Sequence, residues 1–248
     1  TFTEKHHFFK PRARFQRSIL KLIKHFFVQN SKSLKLLKSI QIDQVSISGD
    51  TRFDRVKQTV AYPKAYPIIE QFKGDEPLLI IGSAWASDME VLSEFINSNK
   101  EVKIIIAPHE IEQRDIRLIT KYLKKPFDIY SEGKEFQTDV LVLDTIGMLS
   151  HIYQYGDFAY IGGAFEDGLH NILEAVAFGL PVIFGNEGLD KFPEAEELVN
   201  LGASTMVSNK KETSTALTQL LDTDSRKIKS QVCLDYIEQK AGATEHIM

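Results

Sequence analysis

The feature that most constrains this chain is the regular return of short apolar runs, each closed by a turn and followed by residues at helical spacing. From Leu78 onward the runs are 78–82 (LLIIG), 102–107 (VKIIIA), 139–143 (DVLVL), 158–162 (FAYIG), 181–184 (PVIF) and 203–207 (ASTMV). Strands this continuously apolar are buried on both faces, which is the condition of a parallel sheet covered by helices. The intervening spacing predicts helices over about 87–98, 111–123, 146–154, 169–178 and 193–201, a short strand near 127–130, and closing helices within 210–221 and 223–241. Six strands alternating with helices predict an α/β fold, a doubly wound parallel sheet. Upstream, 25–30 (HFFVQN) and 45–50 (VSISGD) read as strands around a helix over 31–40, with Ser31 as its cap. Residues 51–76, with Pro63, Pro67 and Gly74, read as a connecting segment holding one helix around 65–72.

Composition narrows the class. With 43% hydrophobic and 26% charged residues the chain is ordinary for a soluble protein with a proper core. The single cysteine, Cys233, permits no internal disulfide and reads as a small buried hydrophobe. No Cys/His cluster has zinc-site spacing, so no metal is expected. The apolar runs fall far short of the ~20 residues of a membrane span. The opening TFTEKHHFFKPRARFQR is charged where a signal peptide is apolar, and its lack of an initiator Met is expected of a chain that starts within a longer protein.

Charge is unevenly placed. Residues 1–40 carry a net +9 and the remainder −13. Phe2, Phe8, Phe9, Phe15, Phe26 and Phe27 are interleaved with the basic residues. Two readings stand side by side: a head that sits on an anionic membrane surface, or phenylalanines in a core with solvated lysines. No nucleic-acid motif accompanies the charge.

In open α/β sheets ligands gather outside the carboxyl ends of the strands, so the residues just after each apolar run are the candidates. They are Ser83 and Trp85 in GSAW, Pro108 and His109 in PHE, residues 144–149 (DTIGML), and the stretch 162–185, GGAFEDGLHNILEAVAFGLPVIFG. Helix N-termini with unpaired N–H groups favour an anion there. Gly162 and Gly163 permit close backbone approach, but the G-x-G-x-x-G dinucleotide fingerprint is absent. On a helix over 169–178, His170, Asn171 and Glu174 share one face. A carboxylate beside an amide suits the neighbouring hydroxyls of a ribose, and a histidine suits a phosphate. In DTIGML, Asp144 or Thr145 reads as a helix cap, and the N–H groups of Ile146, Gly147 and Met148 as facing the ligand. Trp85 reads equally as core, and His109 also as a loop residue without duty.

Together SGDTRFDRV (48–56), GSAW (82–85), APHE (107–110), DTIGML and 162–185 resemble the 3-deoxy-D-manno-octulosonic acid (Kdo) transferases of lipopolysaccharide synthesis. The resemblance runs over most of the chain from about residue 20. It implies a Rossmann-like C-terminal half of a GT-B glycosyltransferase, with residues 1–45 the end of an acceptor domain and junction and 46–248 the donor domain. It implies CMP-Kdo as donor substrate with no cofactor, a lipid A precursor as acceptor, and the cytoplasmic face of the bacterial inner membrane as location. Membrane contact would come through the basic N-terminal region or a missing N-terminal domain, and no nucleic-acid partner is implied. By similarity Ser83 belongs to the substrate-binding set, Pro108 and His109 lie against cytosine, and the Ile146–Gly147–Met148 backbone lines the nucleotide pocket. Asn171 and Glu174 hold the ribose, while Gly162, Gly163 and His170 face phosphate or sugar. The chain departs from the family at His109–Glu110, where Arg-His is common, and at Ala84–Trp85, where Thr-His is common. The family's catalytic carboxylate has no counterpart here, so no catalytic residue is expected in this chain and the isolated piece is expected to be nearly inactive. The rivals are a UDP-sugar transferase or epimerase of the same fold, and a non-catalytic nucleotide or lipid-surface module.

Overall fold

A computed structural model describes residues 2–133, 135–166 and 168–248. The chain divides into two compact units, one running to Gln58 and including Glu238–Met248, the other Thr59–Ile237.

In the first unit, strands β1 (Phe26–Val28) and β2 (Val45–Ile47) pair in parallel with each other, Phe26 opposite Val45. The helix Ser31–Ser39 connects them, and Val28, Leu37 and Ile42 form the centre of a small core. Phe2, Phe8 and Phe9 pack against that core, whereas Phe15 is 73% exposed and Phe27 44%. The phenylalanines of the basic head thus divide between the two readings. The cap of this helix is Asn30, not Ser31: the Asn30 Oδ1 accepts from Ser33 N at 2.9 Å. The helix Thr51–Ala61 stands where a connecting segment was expected. It buries Phe53 and Val56, three apart, and Asp50 accepts from Arg52 N at its start. Burial works against the charge on Asp54, but hydrogen bonds from Gly242 N and from the backbone and hydroxyl of Thr244 outweigh it and hold the carboxyl below its ordinary range.

The second unit is built on one parallel sheet. Its strands are β3 (Leu78–Ala84), β4 (Lys103–Pro108), β5 (Asp128–Ile129), β6 (Val140–Val142), β7 (Phe158–Ile161), β8 (Val182–Gly185) and β9 (Thr205–Val207). They lie in the order β5-β6-β4-β3-β7-β8-β9, so the short β5 adds an edge to the six longer strands. Helices Ala86–Ser98, Gln113–Thr120, Pro193–Asn200, Lys210–Gln219 and Thr223–Lys240 fall among the predicted ones. Leu79, Ile81, Ile104, Ile106 and Phe158 are buried with Met89, Leu92 and Leu217 of the covering helices. Each such side chain contributes about 1.5–3 kcal/mol. After β3 the chain first builds β4 and β6 on one side, then crosses to β7 on the other. The crevice outside the sheet therefore opens between the carboxyl ends of β3 and β7.

Two helices begin later than their spacing predicts, and both delays fall at that rim. The expected helix over 146–154 starts at Leu149, after Gly147 at φ +84°, and tightens into a 3₁₀ turn at Tyr153–Tyr155. The expected helix over 169–178 is Leu173–Ala177. His170 N donates back to Gly162 O, and Asn171 Oδ1 accepts from Leu173 N, so residues 170–172 wrap over the end of β7. A short polar side chain that bonds the backbone ahead of it competes with helix formation.

Candidate functional site

The expected binding residues stand at the carboxyl ends of four neighbouring strands, β6, β4, β3 and β7. At β3 the pairing with β4 slips between Ile81 and Ala84, and Ser83 adopts φ +51°. A serine in that region costs about 1 kcal/mol or more, so the turn carries strain at the rim. Gly162 lies against the Ser83 carbonyl and the Asp88 carboxylate, and a Cβ there would overlap both. Gly163, at φ +97°, lies equally close to the Gly168 carbonyl and to the His170 ring. Both glycines are required by close approach, the role expected of them, although what they approach is protein.

Asp88 ties this corner together. Its buried carboxylate accepts from Trp85 N at 2.9 Å, Gly163 N at 3.0 Å and the Tyr160 hydroxyl at 2.9 Å. Burial pushes its pKa up in spite of these three donors, and the charge of Glu166 adds to the rise. One side chain thus fastens the β3 loop to the β7 loop. Its one signal in the sequence, absent from the expected site residues, is an acid three residues after a helix cap, the second half of a capping box.

Trp85 is not core. Its indole Nε1–H donates to His170 Nε2 at 3.0 Å, with the two rings 7° from coplanar. His109 stacks on both at 4.4 Å. Residues from β3, β4 and β7 so make one aromatic platform, and His109 belongs to it. Beside it is a cleft of about 270 Å³ lined by Trp85, Pro108, His109, Glu110, Arg114 and Glu166. Arg114 brings a cation to this cleft.

Asn171 and Glu174 form a pair through Asn171 Nδ2–H to Glu174 Oε1 at 3.0 Å. His170 and Asn171 precede the short helix, so a shared helix face is not what groups them, and neither Asn171 nor Glu174 lines the 270 Å³ cleft. Ile146 is 81% exposed, Gly147 has open space around it, and Met148 is buried. Asp144 does not cap the following helix; it accepts from the backbone and hydroxyl of Ser131. The 144–148 loop makes no hydrogen bond to the other expected site residues. The residues that follow it do meet the site: Leu149 and Tyr153 lie under Gly82. Among the described residues no cluster of His, Cys, Asp and Glu has the makings of a metal site.

No family model matches the chain. A curated 3-deoxy-D-manno-octulosonic acid transferase of Chlamydophila psittaci is 31% identical over 138 residues, 54% of this chain and 32% of that protein. The one from Rickettsia prowazekii is 26% identical over 223 residues, 86% of this chain and 48% of that protein. The chain resembles the Kdo transferases. It spans about a third to a half of the length of these two relatives. Among solved structures, the C-terminal CMP-Kdo binding domain of WaaA from Acinetobacter baumannii matches with a TM-score of 0.60 at 19% identity, covering 77% of this chain and all of that one. A UDP-N-acetylglucosamine 2-epimerase matches at 0.63 with 15% identity over 93% of this chain and 58% of that one, and the glycosyltransferase WaaG at 0.55 with 12% over 97% and 68%. At these identities the likenesses show the fold: the parallel sheet is that of a GT-B glycosyltransferase half.

Proposed function

We propose that this chain is the donor-binding part of a glycosyltransferase that moves Kdo from CMP-Kdo to a hydroxyl of a lipid A precursor in lipopolysaccharide synthesis. The observation that carries the reading is the switch-point rim. There the glycines of 82 and 162–163, the Asn171–Glu174 pair and the Pro108–His109 cleft occupy neighbouring strand ends in a chain similar to Kdo transferases.

On this reading residues 46–248 are the donor domain and 1–45 the end of the acceptor domain. Pro108 and His109 receive the cytosine, Asn171 and Glu174 the ribose, and Arg114 with the rim's backbone N–H groups the anionic part of the donor. In the transfer, a base outside this chain takes the acceptor proton, the C2 centre of Kdo becomes cation-like, and CMP leaves as a phosphate monoester. Fixed donors aimed at the departing phosphate stabilise it. The reading requires no resident metal or cofactor. It locates the enzyme at the cytoplasmic face of the inner membrane, held by a surface. The exposed Phe15, Ile19, Leu22 and Ile23 beside a 320 Å³ pocket lined by Arg14, Arg17 and Lys21 suit anionic lipid. Among the described residues no helix is long and apolar enough to cross a membrane.

Calorimetric titration tests the reading. The isolated chain is expected to bind CMP and to bind UDP at least about tenfold more weakly, and to transfer Kdo negligibly beside a longer protein. UDP binding as tight as CMP would favour the UDP-sugar rival and sink this one.

A further inference from the structure

Trp85 and His170 make one flat surface. Their rings lie edge to edge, 7° from coplanar with centroids 6.4 Å apart, joined by the bond from the indole Nε1–H to His170 Nε2 at 3.0 Å. An indole N–H only donates, so Nε2 of His170 presents its lone pair and the neutral ring carries its proton on Nδ1. The Nε2–Cδ2 edge of the same ring lies against Gly163, where a Cβ would overlap it. Contacts on that edge fix both the tautomer and the plane of His170.

His109 lies over this surface, its centroid 4.4 Å from each ring and its plane tilted 19° from Trp85 and 24° from His170. Its backbone N–H donates to the Ala84 carbonyl at 2.9 Å, and Glu110 Oε1 lies 3.7 Å from its Nε2. With one face laid on the pair, the His109 side chain is still 32% exposed, and it lines the 270 Å³ cleft. His170 does not line that cleft. What His109 offers to a ligand is therefore the side turned away from the pair. A ring whose plane is already fixed by stacking receives a second flat ring without paying to be ordered on binding.

We propose that the hydrogen-bonded Trp85–His170 pair is a positioning platform for His109, holding that ring parallel so that its outer face stacks on the base of the nucleotide. The assignment rests on the nucleotide reading given above, and it makes Trp85 a residue that acts through His109. The first test needs no substitution in the protein measured: nitrogen NMR of the histidine-labelled wild type at about pH 8, where a free imidazole is neutral. His170, identified among the seven histidines by the signals missing from His170→Gln, is expected with Nδ1 protonated and Nε2 bare. An Nε2-protonated His170 overturns the platform. Calorimetric titration of CMP then tests its purpose. Trp85→Phe keeps a ring against His109 but has no N–H for His170, and is expected to bind CMP about three- to tenfold more weakly. In a His109→Ala background the same substitution is expected to change CMP affinity by less than about twofold, because the ring it positions is gone. An undiminished further loss in that background, or wild-type affinity in Trp85→Phe, overturns the positioning role alone. Failure of wild type to bind CMP at all overturns the nucleotide reading and this role with it.

Discussion

Replacing Asp88 by alanine removes one carboxylate and strands three donors: Trp85 N, Gly163 N and the Tyr160 hydroxyl. The bonds to Gly163 and Tyr160 are buried, and a buried donor left without a partner costs about 1–3 kcal/mol. Part of that loss is recovered, because the carboxylate itself is desolvated, as its raised pKa records. The net cost of Asp88→Ala is then about 2–4 kcal/mol, which lowers a urea midpoint by about 1 M. The chain's only tryptophan, Trp85, is held by this carboxylate, so its fluorescence reports the loss directly. Asp88→Asn separates geometry from charge. An amide oxygen keeps the two backbone bonds and its NH₂ faces the Tyr160 oxygen, so the cost falls to about 1 kcal/mol or less. The pH dependence also distinguishes them. With a folded pKa above the ordinary 3.8, Asp88 holds its proton more tightly folded than unfolded. Its contribution to stability is full below 3.8 and is lost as pH rises through the folded value. Wild type should therefore show a falling contribution across that window that Asp88→Asn lacks. A urea midpoint for Asp88→Ala within about 0.2 M of wild type would refute the idea that this carboxylate fastens the two loops.

Gly82→Ala places a methyl where the Tyr153 hydroxyl stands and should destabilise by about 1–3 kcal/mol; adding Tyr153→Phe should recover a large part, and strict additivity in a denaturation cycle would contradict the contact. The Cys233 thiol, donating to the Leu180 carbonyl at 3.4 Å, is pushed up to about 12 by burial. A thiol reagent at pH 8 should leave the native chain unmodified for as long as it stays folded and label it at once in denaturant. Rapid labelling of the native chain would contradict that burial.

The layered fold was legible because its signal is local. Runs such as LLII and IIIA are apolar at every position, which only burial on both faces accommodates, and the residues of β3, β4 and β7 follow suit. Glycines 162 and 163 were legible as points of close approach for the same reason: the residue type states the constraint. The helix at Thr51–Ala61 was available in the spacing of Phe53 and Val56 behind Asp50, but its charged residues hid a narrow apolar face. Helix starts at the rim were not legible. The folding-back of His170 N to Gly162 O and the Asn171 side-chain bond pre-empt turns that spacing alone would allow.

The sequence by itself determined the alternation of strand and helix, the parallel pairing it compels, and the residue types available at each strand end. Tertiary structure alone decided which strand ends are neighbours, since parallel partners are distant in the chain and their order is a matter of packing. That order brings Trp85 to His170 across 85 positions and turns Asp88 from a helix acid into a clasp between two loops. Contacts of this kind depend on where side chains meet in space, and no local periodicity encodes them.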